Sequence, residues 1–295
     1  MEWFSSFVLS GRPVGAFLAL GLVLAQPVGP AGADTLEVPG QYPTIQAAIN
    51  AAQTGDEILV APGVYPERIH LLGKTITLRG TAGPDLTIID ATGLNQDVII
   101  CTNGEGPDTI VQGFTVTGGV DGIRTRLSAP TLSDCLFVAN AGHGMSCEEA
   151  APVAFDCAFS DNIDCGIQNV IGAPVLERCA IEGNGAGGVF SLGPAIVTLL
   201  DCSLIGNTAV FGAGLHNLDG GAARLVNCTF IANQASYSGG GLLNDSDCQV
   251  HLVNCLFSDN SAGVDGGAVY NLESDLEVSN GTFSANAAGR DGGAV

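Results

Sequence analysis

The chain has 295 residues, of which 42 are Gly and 13 Pro, while charged side chains make up only 13%, about half the usual share. Long amphipathic helices need charged wet faces and lose roughly 1 kcal/mol per interior Gly, so a helix-rich fold is disfavoured, and 46% hydrophobic residues argue against disorder. A net charge of -21 with a single lysine, Lys74, makes nucleic acid a poor partner, because Lys and Arg supply the phosphate neutralisation that drives such binding.

Residues 1–33 read as an export signal: Arg12, an apolar run over 14–25, then Ala31-Gly-Ala33 before Asp34. This is the order of charged flank, apolar stretch and small-residue cleavage site. The run is too short to span a bilayer. The mature chain, a single domain over 34–295, is therefore expected to be secreted, extracellular or on an outer surface, and not membrane-spanning.

From Leu132 the chain repeats. Cys occupies 135, 157, 179, 202, 228 and 255, with Gly281 in the next slot; the spacings are 22, 22, 23, 26, 27 and 26. Two residues after each slot stand Phe137, Phe159, Ile181, Leu204, Phe230, Phe257 and Phe283, and five after it Asn140, Asn162, Asn184, Asn207, Asn233, Asn260 and Asn286. The i, i+2 relation of Cys and Phe predicts a strand with both side chains facing inward. Asp134, Asp156, Asp201, Asn227, Asn254 and Asn280 precede the slots and predict one turn. The Asn column predicts another, since Asn tolerates the left-handed conformation and its amide bonds backbone groups of a neighbouring coil. Gly122, Gly144, Gly166, Gly188, Gly214 and Gly241, then Ala268 and Ala294, form a further column, with Asn169, Asn217, Asn244 and Asn271 three residues after four of its slots. The later coils gain their extra residues between the first Asn and this Gly, so one turn lengthens while the strands keep register. A period of 22 to 27 fits three short strands per coil, an all-β right-handed parallel β-helix of roughly eleven coils whose stability comes from stacking at ~4.8 Å.

Thr35-Leu-Glu-Val-Pro-Gly-Gln-Tyr-Pro-Thr-Ile-Gln-Ala-Ala-Ile-Asn-Ala-Ala52 and the following Gly55-Asp-Glu-Ile-Leu-Val-Ala-Pro-Gly-Val-Tyr65 resemble the opening segment of pectin-lyase-like β-helices. Ile45, Ala48, Ile49 and Ala52 share one face of a short helix expected to cap the core. The later coils, with Phe230-Ile-Ala-Asn233, Phe257-Ser-Asp-Asn260, Gly239-Gly-Gly-Leu242 and Gly266-Gly-Ala-Val269, resemble the repeats of chlamydial polymorphic outer-membrane proteins. The resemblance implies the fold more than an activity, because unrelated functions share this scaffold.

Six of the ten cysteines form the inward column, and stacking leaves two alternatives open: buried thiols acting as small hydrophobes, or bridges such as Cys135 to Cys157.

Enzymes of the resembled fold act on acidic polysaccharides. Gly142-His143-Gly144 is similar to the Gly-His-Gly of polygalacturonases, and Gly119-Val-Asp121 lies 22 residues earlier. One coil therefore separates Asp121 from His143, with Asp97 a coil below and Arg124 and Arg126 on the same strand as Asp121. These five are the catalytic candidates. Val120 stands where the family pairs a second Asp, so the carboxylate separation needed for hydrolysis is not evident. Lyases of the fold hold calcium through Asp; Asp134 and Asp156, one coil apart, are the calcium candidates, although turn preference accounts for them as well. No other cofactor is implied.

The leading expectation is a secreted or surface β-helix that displays and binds, in the manner of an adhesin or passenger domain, with a glycan or cell-surface protein as partner. A polysaccharide lyase or glycoside hydrolase is the alternative, and a structural envelope protein a third. The charge of -21 repels pectate or alginate unless calcium bridges them. Because the chain stops part-way through a repeat at Gly292-Gly-Ala-Val295, it is expected to be part of a longer rod.

Overall fold

A computed structural model describes residues 32–295; the export signal expected over 1–33 lies outside them but for its last two residues. Three parallel sheets run along one axis. The first has 11 strands, from Thr35–Val38 to Asp275–Ser279; the second has 10, from Gly63–Tyr65 to Thr282–Ser284; the third has 9, from Ile69–His70 to Val269–Leu272. Each strand pairs with its equivalents one coil away, giving about ten turns of a parallel β-helix, close to the eleven expected. Among the described residues no helix is long and apolar enough to cross a membrane.

The Cys and Phe columns do face inward. Phe137, Phe159, Phe230 and Phe257 are fully buried, and the register pairs Phe137 with Phe159 and Phe230 with Phe257. Strand spacing forces these rings to stack face to face, with centroids 5.0 and 4.5 Å apart. All ten cysteines are buried and free. The column thiols donate to backbone carbonyls instead of bridging: Cys135 Sγ lies 3.2 Å from Ser133 O, and Cys228 Sγ 3.4 Å from Leu199 O.

The turn before each Cys is as expected, with Asp134, Asp156, Asp201, Asn227, Asn254 and Asn280 at φ between +49° and +55°. The Asn turn differs. The left-handed residue is the one before each Asn, namely Ala139, Asp161, Gly183, Gly206, Ala232, Asp259 and Ala285, at φ between +53° and +64°. That residue turns the chain so that the Asn itself points inward. Asn184 illustrates the resulting ladder: its amide donates to Phe159 O and Asn207 Oδ1, both at 2.9 Å, and its Oδ1 accepts from the Asn162 backbone at 3.1 Å and amide at 3.0 Å. Asn140, Asn184, Asn207, Asn233 and Asn260 are wholly buried, and in this ladder their polar groups satisfy one another and the backbone.

The Gly column owes nothing to positive φ. A Cβ on Gly188 would meet Gly214 O at 2.6 Å, and one on Gly214 would meet Gly241 O at 2.2 Å and Phe230 Cδ1 at 2.7 Å. Glycine is required because each coil passes between the ring and Asn columns and the backbone of the next coil.

The helix Ile45–Ala51 caps the open end of the core with Ile45, Ala48 and Ile49 buried. Charged groups from later coils tie both its ends. Glu67 accepts the N–H groups of Ile45 and Gln46, each at 2.9 Å, and Lys74 Nζ donates to Ile49 O, Asn50 O and Ala52 O at 2.6, 2.9 and 2.8 Å. This placement, an anion at the N-terminus and a cation at the C-terminus, satisfies orphan backbone groups and suits the helix dipole. It also gives the lone lysine its role.

Glu105 joins three coils. It is 1% exposed and accepts from Gly73 N at 2.8 Å, Asn103 N at 2.9 Å and Ser128 Oγ at 2.9 Å. Burial pushes its pKa up, but the bonds it accepts from the Gly73 and Asn103 backbones, its own backbone N–H and the Ser128 hydroxyl together outweigh burial and hold it below the ordinary carboxylate value. Glu105→Ala leaves three donors without an acceptor and should destabilise the protein by about 3 kcal/mol near neutral pH. With the folded pKa depressed, the carboxylate's contribution is full above its unfolded value of about 4.3 and is lost as pH falls through the folded one. Urea melts should show the gap between parent and variant narrowing between pH 6 and pH 3; a constant gap would contradict this assignment.

Candidate functional site

The lengthened turn of the later coils is itself a small fourth sheet, with strands Thr208–Phe211, Gln234–Ser238, Ser261–Ala262 and Ala287–Ala288. It rises beside the third sheet, whose solvent side carries one residue per coil in the register Arg124, Ser146, Gln168, Phe190, His216, Leu243, Tyr270. Sheet and turn together form a groove along the axis. Its early part is polar and its later part aromatic.

The five catalytic candidates lie in and beside the early part. Asp97, Asp121 and His143 stack one coil apart as expected: the Asp121 N–H donates to Asp97 Oδ1 at 3.2 Å, and the His143 N–H donates to Asp121 Oδ1 at 2.9 Å. Each carboxylate thus ties down the backbone of the next coil, and Gly142 is needed because a Cβ there would sit 2.7 Å from Asp121 Oδ1. Burial raises the pKa of Asp121; the His143 N–H bond opposes this, and the nearby Asp97 charge adds to it. Arg124 and Arg126 project to solvent, with Arg124 Nη1 3.8 Å from Asp97 Oδ2 and Arg126 Nε 3.4 Å from Glu148 Oε2. Their charges are shared with Glu148, which sequence reasoning missed.

The His143 ring turns away from Asp121 toward the next coil. Its Nδ1 accepts from the Cys165 N–H at 3.3 Å, and its Nε2 lies 3.8 Å from Asp164 Oδ2. His143, Asp164 and Cys165 bring nitrogen, oxygen and sulfur donors within 4.8 Å of one another, the one such group among the described residues. The bond from Cys165 places the imidazole proton on Nε2 facing Asp164, and burial with the Asp164 charge pushes the Cys165 thiol up to about 12. As it stands, the trio is a hydrogen-bonded cluster.

The calcium candidates fit less well. Asp156 is gripped by Arg178, whose Nε and Nη2 lie 2.7 and 2.9 Å from its two carboxylate oxygens. Asp134 accepts from Gln112 Nε2 at 3.1 Å. Further along the same column Asn227 donates to Asp201 Oδ1 at 2.8 Å. These are rungs of a surface ladder between turns, and both carboxylates already accept hydrogen bonds from the protein.

The aromatic part of the groove was missed altogether. Phe190 and His216 meet edge to face at 5.4 Å, Phe211 lies 6.4 Å from His216, and Phe211 and Tyr237 are 5.0 Å apart. Tyr237 is 51% and Phe211 41% exposed, and their contact makes them one exposed apolar patch, the kind of feature that marks interaction sites. The residue two beyond each slot of the Gly column would have flagged Phe190 after Gly188, His216 after Gly214 and Tyr270 after Ala268.

Residues 169–293 match a protein-family model described as a right handed beta helix region. Comparison with curated proteins finds no sequence match. Among solved structures the chain is similar to the pectate lyase Pel9A (TM-score 0.57, 15% identity, 85% of this chain and 78% of that one). It is also similar to the ORF18 protein of Geobacillus virus E2 (0.54, 15%, 81% and 56%) and to an alginate lyase from a Paenibacillus strain (0.51, 11%, 84% and 99%). At such identities the likeness is one of fold. Over its described residues the chain is a right-handed parallel β-helix, built on the scaffold shared by these polysaccharide lyases and the viral protein.

Proposed function

We propose that this chain is an exported, surface-displayed β-helix that binds a glycan along the outer face of its third sheet. One observation carries the reading: Phe190 and His216 on the third sheet and Phe211 and Tyr237 on the fourth bring four rings together in one groove. Flat aromatic rings offer apolar area at low entropic loss and match the apolar faces of sugar rings. The resemblance to pectin-lyase-like proteins and the fold shared with polysaccharide lyases support a carbohydrate partner. Affinity electrophoresis of residues 34–295 through gels holding mannan, xylan, mixed-linkage β-glucan, pectate or alginate, with and without calcium, tests it. Retardation by at least one polymer is expected, and unretarded migration in all of them would refute it.

A second reading, cleavage of the bound polymer, draws on Asp121, whose pKa is raised from its ordinary value by burial, the direction in which catalytic acids are shifted. Asp97, Arg124, Arg126 and His143 would complete that site. Reducing-end and unsaturated-product assays on the same polymers decide it: turnover lost in Asp121→Asn would favour this reading, and absence of product would leave binding alone.

A further inference from the structure

We infer that the recess between the third and fourth sheets is a subsite for one uncharged pyranose ring, stacked on Tyr237 and Phe211 with its hydroxyl edge bonded by His216 Nε2 and Ser238 Oγ. This rests on the glycan-binding reading and makes it specific in position and ligand.

The recess encloses about 400 Å³ and is lined chiefly by Phe211, His216, Leu218, Tyr237, Ser238 and Leu243. That volume falls in the range of small-ligand sites and is too small for a folded partner. Two of the lining side chains carry polar atoms that the protein leaves unmet. His216 Nε2 and Ser238 Oγ are buried and have no hydrogen-bond partner, and Ser238 is only 1% exposed. A buried polar atom left unpaired costs roughly 1–3 kcal/mol, so two in one recess are a standing expense unless something else meets them. A purely apolar ligand would leave both unmet. A sugar ring offers what the recess lacks, an apolar face beside an edge of hydroxyls that donate or accept.

The backbone supports the same assignment. The pairing of Thr208–Phe211 with Gln234–Ser238 slips between Ala209 and Phe211, which sets Phe211 opposite Ser238. Such irregularities re-aim side chains next to binding sites, and here the slip brings a ring to the mouth of the recess. Charge selects among sugars. Asp245 is the one charged side chain among the lining residues, and burial keeps His216 below the ordinary histidine value despite Asp245 and Asp219, so the imidazole is neutral near pH 7. Nothing in the recess compensates a carboxylate, and a uronate would face Asp245 directly.

The test uses residues 34–295 and three neutral oligosaccharides, mannohexaose, xylohexaose and cellohexaose, with hexagalacturonate as the charged counterpart. Calorimetric titration should show binding of at least one neutral probe and tenfold or more weaker binding of hexagalacturonate. Tyr237→Ala should weaken that neutral probe about tenfold, the equivalent of roughly 1.4 kcal/mol. Ser238→Ala should weaken it severalfold while leaving the melting temperature of the free protein unchanged or higher, because it removes an unpaired polar atom. A purely structural serine would not part these two readouts. The His216 ring resonances should shift on saturation with the probe, and Val64→Ala, on the second sheet, should bind as the parent does. If a neutral probe binds but Tyr237→Ala and Ser238→Ala bind it equally well, the subsite is wrong while glycan binding stands. If only hexagalacturonate binds, the ligand class is wrong. If no hexamer binds although a polymer gel retards the protein, this subsite is again refuted, and if no gel retards it either, both readings fall.

Discussion

Asn184→Ala is expected to destabilise the protein by at least 3 kcal/mol, although it removes only a small polar side chain. Three groups lose a partner in a place water does not reach: the Asn162 backbone N–H, the Asn162 amide and the Phe159 carbonyl. Each is worth roughly 1–3 kcal/mol when left unpaired. Asn184→Asp separates hydrogen bonding from volume. Its carboxylate still accepts from Asn162, but it faces the oxygens of Phe159 and Asn207 and is buried as an anion. Burial and these oxygens raise its folded pKa, so the variant's deficit is full above that value and is relieved as pH falls through it toward the unfolded one. Urea melts should show the gap between the aspartate variant and the parent shrinking from pH 7 to pH 4, while the alanine variant keeps its deficit. An alanine variant within 1 kcal/mol of the parent would mean the ladder adds little.

Gly214→Ala is expected to have a comparable effect for a different reason. Its Cβ would lie 2.2 Å from Gly241 O and 2.7 Å from the Phe230 ring, and strands paired on both sides prevent the backbone from moving away. Overpacking of this kind costs about 3 kcal/mol or more. Gly220 gives the control, since its φ is +79° and nothing lies within 4 Å of its would-be Cβ. Gly220→Ala meets only left-handed strain of about 1–2 kcal/mol. Denaturant midpoints for the two variants test the ordering, and equal losses would show that contact with the next coil is not what the Gly column protects.

Some of this was legible in residue order. A Cys-x-Phe pair recurring every 22 to 27 residues announces short inward strands, because alternation is a property of the strand itself. The turn before each Cys could be read for the same reason, since left-handed Asp and Asn are local preferences. The stack of Asp97, Asp121 and His143 followed from spacing by one coil. The Asn column was legible as a turn but not as a buried ladder, because its inward direction is set by the left-handed residue before it. Ala139, Ala232 and Ala285 carry no local preference for that conformation.

The candidate site was legible only in its early part. Phe190, His216, Phe211 and Tyr237 sit in no common motif, and the coil-to-coil register together with the rise of the fourth sheet brings them to one groove. Asp156 offered a metal ligand by spacing, yet Arg178 holds it, and the roles of Cys165, Asp164 and Glu148 emerged only from their neighbours one coil away. Period, strand direction and inward face are consequences of local conformation, and the amino-acid order of this chain determines them. Which side chains end in contact across coils, which carboxylates are already occupied, and which buried atoms remain unpaired depend on how successive coils stack, and stacking is decided by the whole rod.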